Sequence, residues 1–152
     1  MRLLITTQKL DKYDSNLGFF HNWVAEFAKH CESVHVVCLF KGEYDLPDNV
    51  RVFSLGKEER QSRIQYLIHF YWFIIHERKK YDTVFVHMNQ IYVVLAGFLW
   101  KMFGKKIGLW YTHRAVHWTL RVATFFTDDI FTASKEGFNI PFVKGSPVQL
   151  YC

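Results

Sequence analysis

The chain has 152 residues, half of them hydrophobic and 18% aromatic, which suffices for one substantial core and argues against a disordered chain. Its formal charge of +5 favours anionic partners. Lys and Arg are spread along the chain without a nucleic-acid motif, so nucleic acid is not expected as a partner and the basicity reads as a solvated surface. Cys31, Cys38 and Cys152 lack the C-x-x-C spacing of a zinc or redox site, which suits a reducing cytoplasm, and MRLLITTQK is too short an apolar run for a signal peptide.

In chain order, Arg2 to Thr7 predicts a buried strand feeding the polar loop QKLDKYDSNLG. A dinucleotide fold needs G-x-G-x-x-G at this point and a P-loop needs G-x-x-x-x-G-K-S/T. The loop offers only Gly18, so neither phosphate cradle is present, and a flavodoxin-like or other nucleotide-binding domain is disfavoured. Phe20, Trp23, Val24, Phe27, Ala28 and Cys31 then follow the spacing of an amphipathic helix, with Asn16 as its N-cap and His21 as a surface residue of its first turn. Val34 to Phe40 predicts a second strand and Val50 to Leu55 a third, separated by the turn formers of KGEYDLPDN.

A helix from Ser62 to Lys79, capped by Ser62, is apolar around most of its circumference. Its polar stripe is Gln65, His69, Trp72 and His76, interrupted by Trp72. His69 and His76, at i and i+7, cannot share a metal as an i, i+4 pair does. So wide an apolar face predicts burial between the sheet and something else: another layer of the chain, a partner or a membrane surface.

The stretch TVFVHMNQIYVVLAGFLWKMFGKKIGLWYTHRA, Thr83 to Ala115, carries the candidate site. It predicts a strand ending at His87 and a helix with Asn89 as N-cap and Ile91, Val94, Leu95, Phe98, Leu99 and Met102 as its apolar face. Gly97 allows close approach, Gly104 ends the helix, and a strand follows from Lys106 to Tyr111. Thr83 to Trp100 contains no Asp, Glu, Lys or Arg and touches the length of a membrane span, but the HMNQ interruption favours strand, turn and helix. A short helix from about Thr119 to Phe126, a strand from Asp129 to Ala133 and a last short strand complete the chain. Strands alternating with helices predict an α/β, Rossmann-like three-layer sandwich with a mainly parallel sheet.

Ligands of such sheets bind beyond the carboxyl ends of the strands. The Gln8–Gly18 loop, His87 with Asn89, His113 with Arg114, and Ser134 are therefore expected along one edge. An imidazole there donates hydrogen bonds to hydroxyls or phosphates or exchanges protons near neutrality; the alternative is that each histidine only ties down its own loop. Arg114 adds a planar fork for phosphate or carboxylate, or is a solvated side chain. His117 has no Cys or carboxylate close by, so no metal is expected. Asp128 and Asp129 begin a strand at the opposite edge and read as structural, and without a G-x-S-x-G elbow no Ser/His/Asp triad can be argued.

Taken in order, MRLLITTQK, LGFFHNW, EYDLPDNVRVFSLGKE, YDTVFVHMN, KKIGLWYTH and DDIFTASKEGF resemble the amino-terminal half of a GT-B glycosyltransferase of family 4, from Met1 to about Phe138. The resemblance implies two Rossmann-like domains facing each other across a cleft. Residues 1–152 form the single acceptor-side domain, and the carboxyl-terminal domain that holds the nucleotide sugar is absent. The Gly18 loop lines the cleft, His87 shapes its acceptor side, and His113 is the catalytic histidine near the transferred sugar, with Asn89, Arg114 and Ser134 as further substrate contacts. Transfer retains anomeric configuration and uses no metal or other cofactor.

The pattern departs from the family at Gln90, where Pro is usual after Asn, and at Arg114, where Gly is usual and the larger side chain crowds the sugar pocket. The expected function is transfer of a sugar from a nucleotide sugar to a glycan or lipid-linked acceptor in polysaccharide biosynthesis, inactive until a donor-binding half joins as a separate chain or missing segment. The expected location is cytoplasmic, with peripheral contact at the inner face of an anionic membrane. The alternative is a non-catalytic module that binds an anionic lipid or saccharide.

Overall fold

Apolar runs too continuous for a half-exposed sheet become parallel strands covered on both faces. The clearest is LLITT, buried throughout within strand β1 (Arg2–Leu10) of the computed structural model, which describes residues 1–112, 117–133 and 148–150. The chain forms two compact units, Met1–Asp82 and Thr83–Cys152.

In the first unit, β1 is followed by helix α1 (Gly18–His30), strands β2 (Ser33–Lys41) and β3 (Val50–Ser54), and helix α2 (Arg63–His76). The strands lie in the order β3-β2-β1, all parallel, with Leu4 opposite His35 and Val36 opposite Val52. β1 outruns the expected end at Thr7, because pairing of Lys9 with Phe40 and Leu10 with Lys41 continues the ladder and buries Leu10. The α1 periodicity is borne out, with Phe20, Val24 and Ala28 buried. Ser62 caps α2 through a capping box: its hydroxyl accepts from the Gln65 amide at 3.3 Å, and Gln65 Oε1 accepts from the Ser62 amide at 2.7 Å. α2 buries Phe70, Phe73 and Ile74, with Phe73 packed 4.8 Å from Phe53 and 6.3 Å from His35, ring centre to ring centre. It stops at His76, short of Lys79: the Glu77 carbonyl accepts from the Lys80 amide, and Arg78 Nη1 donates to the Ile75 carbonyl.

The second unit comprises β4 (Thr83–His87), α3 (Ile91–Met102), β5 (Lys106–Trp110), α4 (Trp118–Phe126), β6 (Asp129–Thr132) and β7 (Val148–Leu150), with parallel strands in the order β4-β5-β6-β7. One expectation fails here. α3 buries Tyr92, Val93, Ala96, Gly97 and Trp100, while Phe98 is 65% exposed and Ile91 and Met102 also face outward. The helix is apolar on nearly every side, so two stripes satisfied the helical period and packing selected the other one. Gly97 is needed for that packing, since a Cβ there would lie 2.8 Å from the Phe126 side chain. Gly104, at φ +69°, turns the chain out of α3, and its amide donates to the Lys101 carbonyl. Asp128 is structural as expected: it accepts from the Ile107 amide and pairs with Lys101. Among the described residues no helix is long and apolar enough to cross a membrane.

Candidate active-site edge

In the first unit the loop after β1 is fastened by charge and backbone bonds. Asp14, not Asn16, organises the start of α1. Its Oδ1 accepts from the Asn16 and Leu17 amides at 2.9 and 2.7 Å, and its carbonyl accepts from Gly18 at 2.9 Å. Lys9 reaches Asp14 from β1 and lies 3.4 Å from Asp11. The Lys9 ammonium, followed by the Leu17 and Asn16 amides, holds the Asp14 carboxyl down to about 2. Asn16 is one residue short of the N-cap position, which Leu17 occupies without a side-chain cap. Gly18 packs closely, since a Cβ on it would meet the Lys12 carbonyl oxygen at 3.1 Å.

The loop after β2 lies against the first. Lys12 donates to the Glu43 carbonyl at 2.8 Å and Gly42 to the Leu10 carbonyl at 2.9 Å, and the space a Gly42 Cβ would need is filled by Asp11. His21 is not the surface residue expected. It is buried, and its Nε2 accepts from the Asp45 amide at 3.0 Å, so it anchors the second loop from the first turn of α1. A ring that accepts at Nε2 carries its proton on Nδ1.

In the second unit the edge is built at the end of β4. His87 pairs in register with Trp110 of β5 and is 1% exposed. Burial pulls its imidazole down to about 4, so at neutral pH the ring is a neutral hydrogen-bonding group rather than a cation. Met88 follows at φ +60°, a left-handed conformation rare for a residue with a long side chain. The Asn89 amide donates back to the His87 carbonyl at 2.8 Å, closing a γ-turn about Met88, while the Met88 amide donates to the Trp110 carbonyl at 2.8 Å. Backbone strain of this kind clusters at functional sites.

That turn displaces the helix start, so Gln90 rather than Asn89 takes the N-cap position of α3. Asn89 instead accepts from the Ile91 amide at 3.2 Å through Oδ1, as an Asx turn. Gln90 Nε2 donates to Thr119 Oγ1 at 3.1 Å, tying α3 to α4 in a way that a proline could not. Beside it, the Tyr111 amide donates to the Phe131 carbonyl at 2.9 Å, and buried Thr132 ends β6.

The structure thus brings His87 and Asn89 into one turn, and places Gly18 in the other unit, at the first turn of α1. His113, Arg114 and Ser134 lie outside the described residues. Met88 went unrecognised in the sequence because methionine carries no preference for positive φ. Asp14 carries no signal in the sequence that sets it apart from Asn16, and His21, expected at the surface, is buried. Burial pushes the Cys38 thiol up to about 12 and raises that of Cys31, so neither offers a thiolate nucleophile. Among the described residues no three His, Cys, Asp or Glu side chains converge as a metal site.

No curated protein matches the chain in sequence. Among solved structures, HepE of Anabaena in complex with UDP shares 14% identity at a TM-score of 0.59, matching 90% of this chain and 39% of that one. The lipopolysaccharide outer core galactosyltransferase WaaB is 12% identical at a TM-score of 0.58, over 90% of this chain and 40% of that one. The UDP-GlcNAc 2-epimerase of Methanocaldococcus jannaschii is 10% identical at 0.57, over 90% and 40%. The chain thus spans about 40% of the structures it resembles, and these likenesses establish an α/β, Rossmann-like fold of the GT-B kind. A family model described as glycosyl transferase 4-like matches residues 13–112, from the loop after β1 to the end of β5. The strained strand end, the loop after β2, most of the loop after β1, and helices α1 and α3 fall inside that match, and the chain belongs to the glycosyl transferase 4-like family.

Proposed function

We propose that the chain is the amino-terminal, acceptor-side half of a retaining glycosyltransferase that moves a sugar from a nucleotide sugar to a glycan or lipid-linked acceptor. The observation that carries the site assignment is the Met88 turn: a strained, non-glycine γ-turn between a buried neutral histidine and an asparagine, at the carboxyl end of a parallel strand. Asn89 contacts acceptor hydroxyls through its side chain, and His87 is a positioning residue beneath the turn. Gly18 allows the first loop to approach closely. His113 is the catalytic histidine, Arg114 and Ser134 are substrate contacts, and no cofactor is required.

A donor-binding half, as a separate chain or as further sequence, completes the cleft and supplies the groups that hold the nucleotide sugar. Two features support a missing covering element. The chain spans about 40% of the glycosyltransferase structures it resembles, and α4 leaves Phe125 80% exposed while Phe98 of α3 faces outward. The site acts in the cytoplasm in this reading.

Mixing the purified chain with candidate donor-binding halves and a nucleotide sugar should yield glycosylated acceptor with retained anomeric configuration, and neither half alone should do so. Failure of every plausible half sinks the split-enzyme reading. Acceptor binding without turnover would assign the chain to a non-catalytic module. Because an epimerase shares the fold, the same assay should follow 2-epimerisation of the nucleotide sugar, which this reading predicts to be absent.

A further inference from the structure

We infer that Trp118, in the first turn of α4, is a platform on which an acceptor sugar bearing a carboxylate or phosphate stacks, with Arg121 holding the anionic group; the inference rests on the acceptor-side reading above. α4 follows β5 in a parallel sheet, so its first turn lies at the carboxyl edge, where the Met88 turn also stands. The two are tied together. Gln90, next to Asn89, donates from Nε2 to Thr119 Oγ1 at 3.1 Å, and Thr119 is next to Trp118.

Trp118 takes no part in the core of its own helix. Leu120, Ala123 and Thr124 fill the inner face of α4, while Trp118 is 71% exposed. The face of an indole carries partial negative charge, and the C–H bonds on one face of a pyranose carry partial positive charge, so the two stack without breaking hydrogen bonds. An indole beside the Asn89 amide therefore offers a sugar both a surface for its C–H face and a partner for its hydroxyl edge.

Charge narrows the kind of sugar. From Thr83 to Thr127 the sequence contains no Asp or Glu, so β4, α3, β5 and α4 set no carboxylate of their own against an anion. Asp128, just after α4, is paired with Lys101. Arg121 is exposed, and among the described residues no ion pair engages its guanidinium. At i+3 it neighbours Trp118 on the helix surface, and a long helical side chain leans over the preceding turn, toward that indole. A planar cation there suits a sugar carboxylate or phosphate.

The test is a proton–nitrogen NMR titration of the full chain that follows the indole N–H signals, Trp118 being assigned by the signal lost in Trp118→Phe. Glucuronic acid represents an acidic glycan, glucose 1-phosphate a lipid-linked sugar phosphate, glucose the neutral ring and inorganic phosphate the bare anion. The Trp118 signal should shift saturably with at least one acidic sugar, about fivefold more weakly with glucose, and not with inorganic phosphate. The tighter acidic sugar identifies the source of the charge. By saturation transfer to the sugar protons, Trp118→Ala should weaken binding roughly tenfold. Arg121→Gln should reduce affinity for the acidic sugars to that for glucose, and Phe125→Ser, on an exposed residue at the far end of α4, should change neither.

The inference is overturned if no sugar moves the Trp118 signal, if Trp118→Ala binds as well as the wild type, or if glucose or inorganic phosphate binds as well as the acidic sugars. It falls equally if Trp118→Ala changes the sedimentation of the chain, because a second copy would then cover the indole. In the reconstituted transferase, Trp118→Ala should raise KM for an acidic acceptor and leave KM for the nucleotide sugar unchanged. Turnover without that rise overturns the inference and leaves the transferase reading standing. Sugar binding at Trp118 with no turnover from any donor-binding half supports the platform and overturns the transferase reading instead.

Discussion

The two strand ends that carry candidate site residues, one in each unit, are held by opposite means. Beyond β1 the chain is fastened by full charges and redundant hydrogen bonds: Lys9 to Asp14, Asp14 to two amides, and one loop strapped to the next through Lys12, Gly42 and His21. Beyond β4 the described bonds are of another kind. A buried neutral imidazole and a backbone turn at positive φ set the position of Asn89. The first edge can shift one bond at a time. The second is set by packing and holds its geometry only while that packing is intact.

This contrast should separate the two edges in pH. The folded-state value of His87, about 4, lies below its ordinary 6.5, so the unfolded chain takes up the proton first. Its contribution is complete above pH 6.5 and is lost as pH falls toward about 4, on the order of 3 kcal/mol. Buried His35 is shifted down by burial as well and adds to the same trend from the first unit. Denaturant titrations across this range should show the loss, and His87→Phe should reduce its slope. An unchanged slope would mean that His87 is not buried as described. Asp14 acts in a different window: its support is complete above pH 3.8 and is lost as pH falls through about 2.

Packing on the second edge is tested next by Gly97→Ala, which must displace Phe126 and should cost about 1–3 kcal/mol of stability by chemical denaturation. A neutral outcome would show that α3 and α4 can separate without penalty. The strained turn is tested by a pair of substitutions. Met88→Gly relieves the positive φ and should be neutral or stabilising by up to about 1 kcal/mol, whereas Met88→Val should lose about 1–2 kcal/mol. If both variants behave alike, the turn stores no strain.

The smallest effect is expected at the charge-fastened edge. Asp14→Ala removes the acceptor of two amides and the Lys9 partner and should lower Tm modestly, with Asp14→Asn intermediate because it keeps an acceptor but not the charge. Equal losses from both would assign the whole effect to the ion pair.

Much of the fold was legible in the sequence, since buried parallel strands are continuous apolar runs and Ser62, Gly97 and Gly104 carry direct stereochemical meaning. What could not be read follows from degeneracy. α3 is apolar on several faces, so its period could not say which one is buried, and the stripe chosen was the wrong one. Asn16 and Asp14 are both capping residues, and only the reach of Lys9 from β1 favours the aspartate. His21 looked exposed because the loop that covers it arrives from after β2. The placement of His87 and Asn89 together at the end of β4 was legible from the strand end. The Met88 turn was not, because tertiary packing imposes it against local preference.

The central claim, that this edge is the acceptor side of a transferase, is tested most directly by steady-state kinetics of the reconstituted pair carrying Asn89→Ala. KM for the acceptor should rise roughly tenfold, as expected for loss of hydrogen bonds to a bound hydroxyl, with KM for the nucleotide sugar unchanged. A rise in KM for the nucleotide sugar with the acceptor value unchanged would contradict the account and place Asn89 on the donor side.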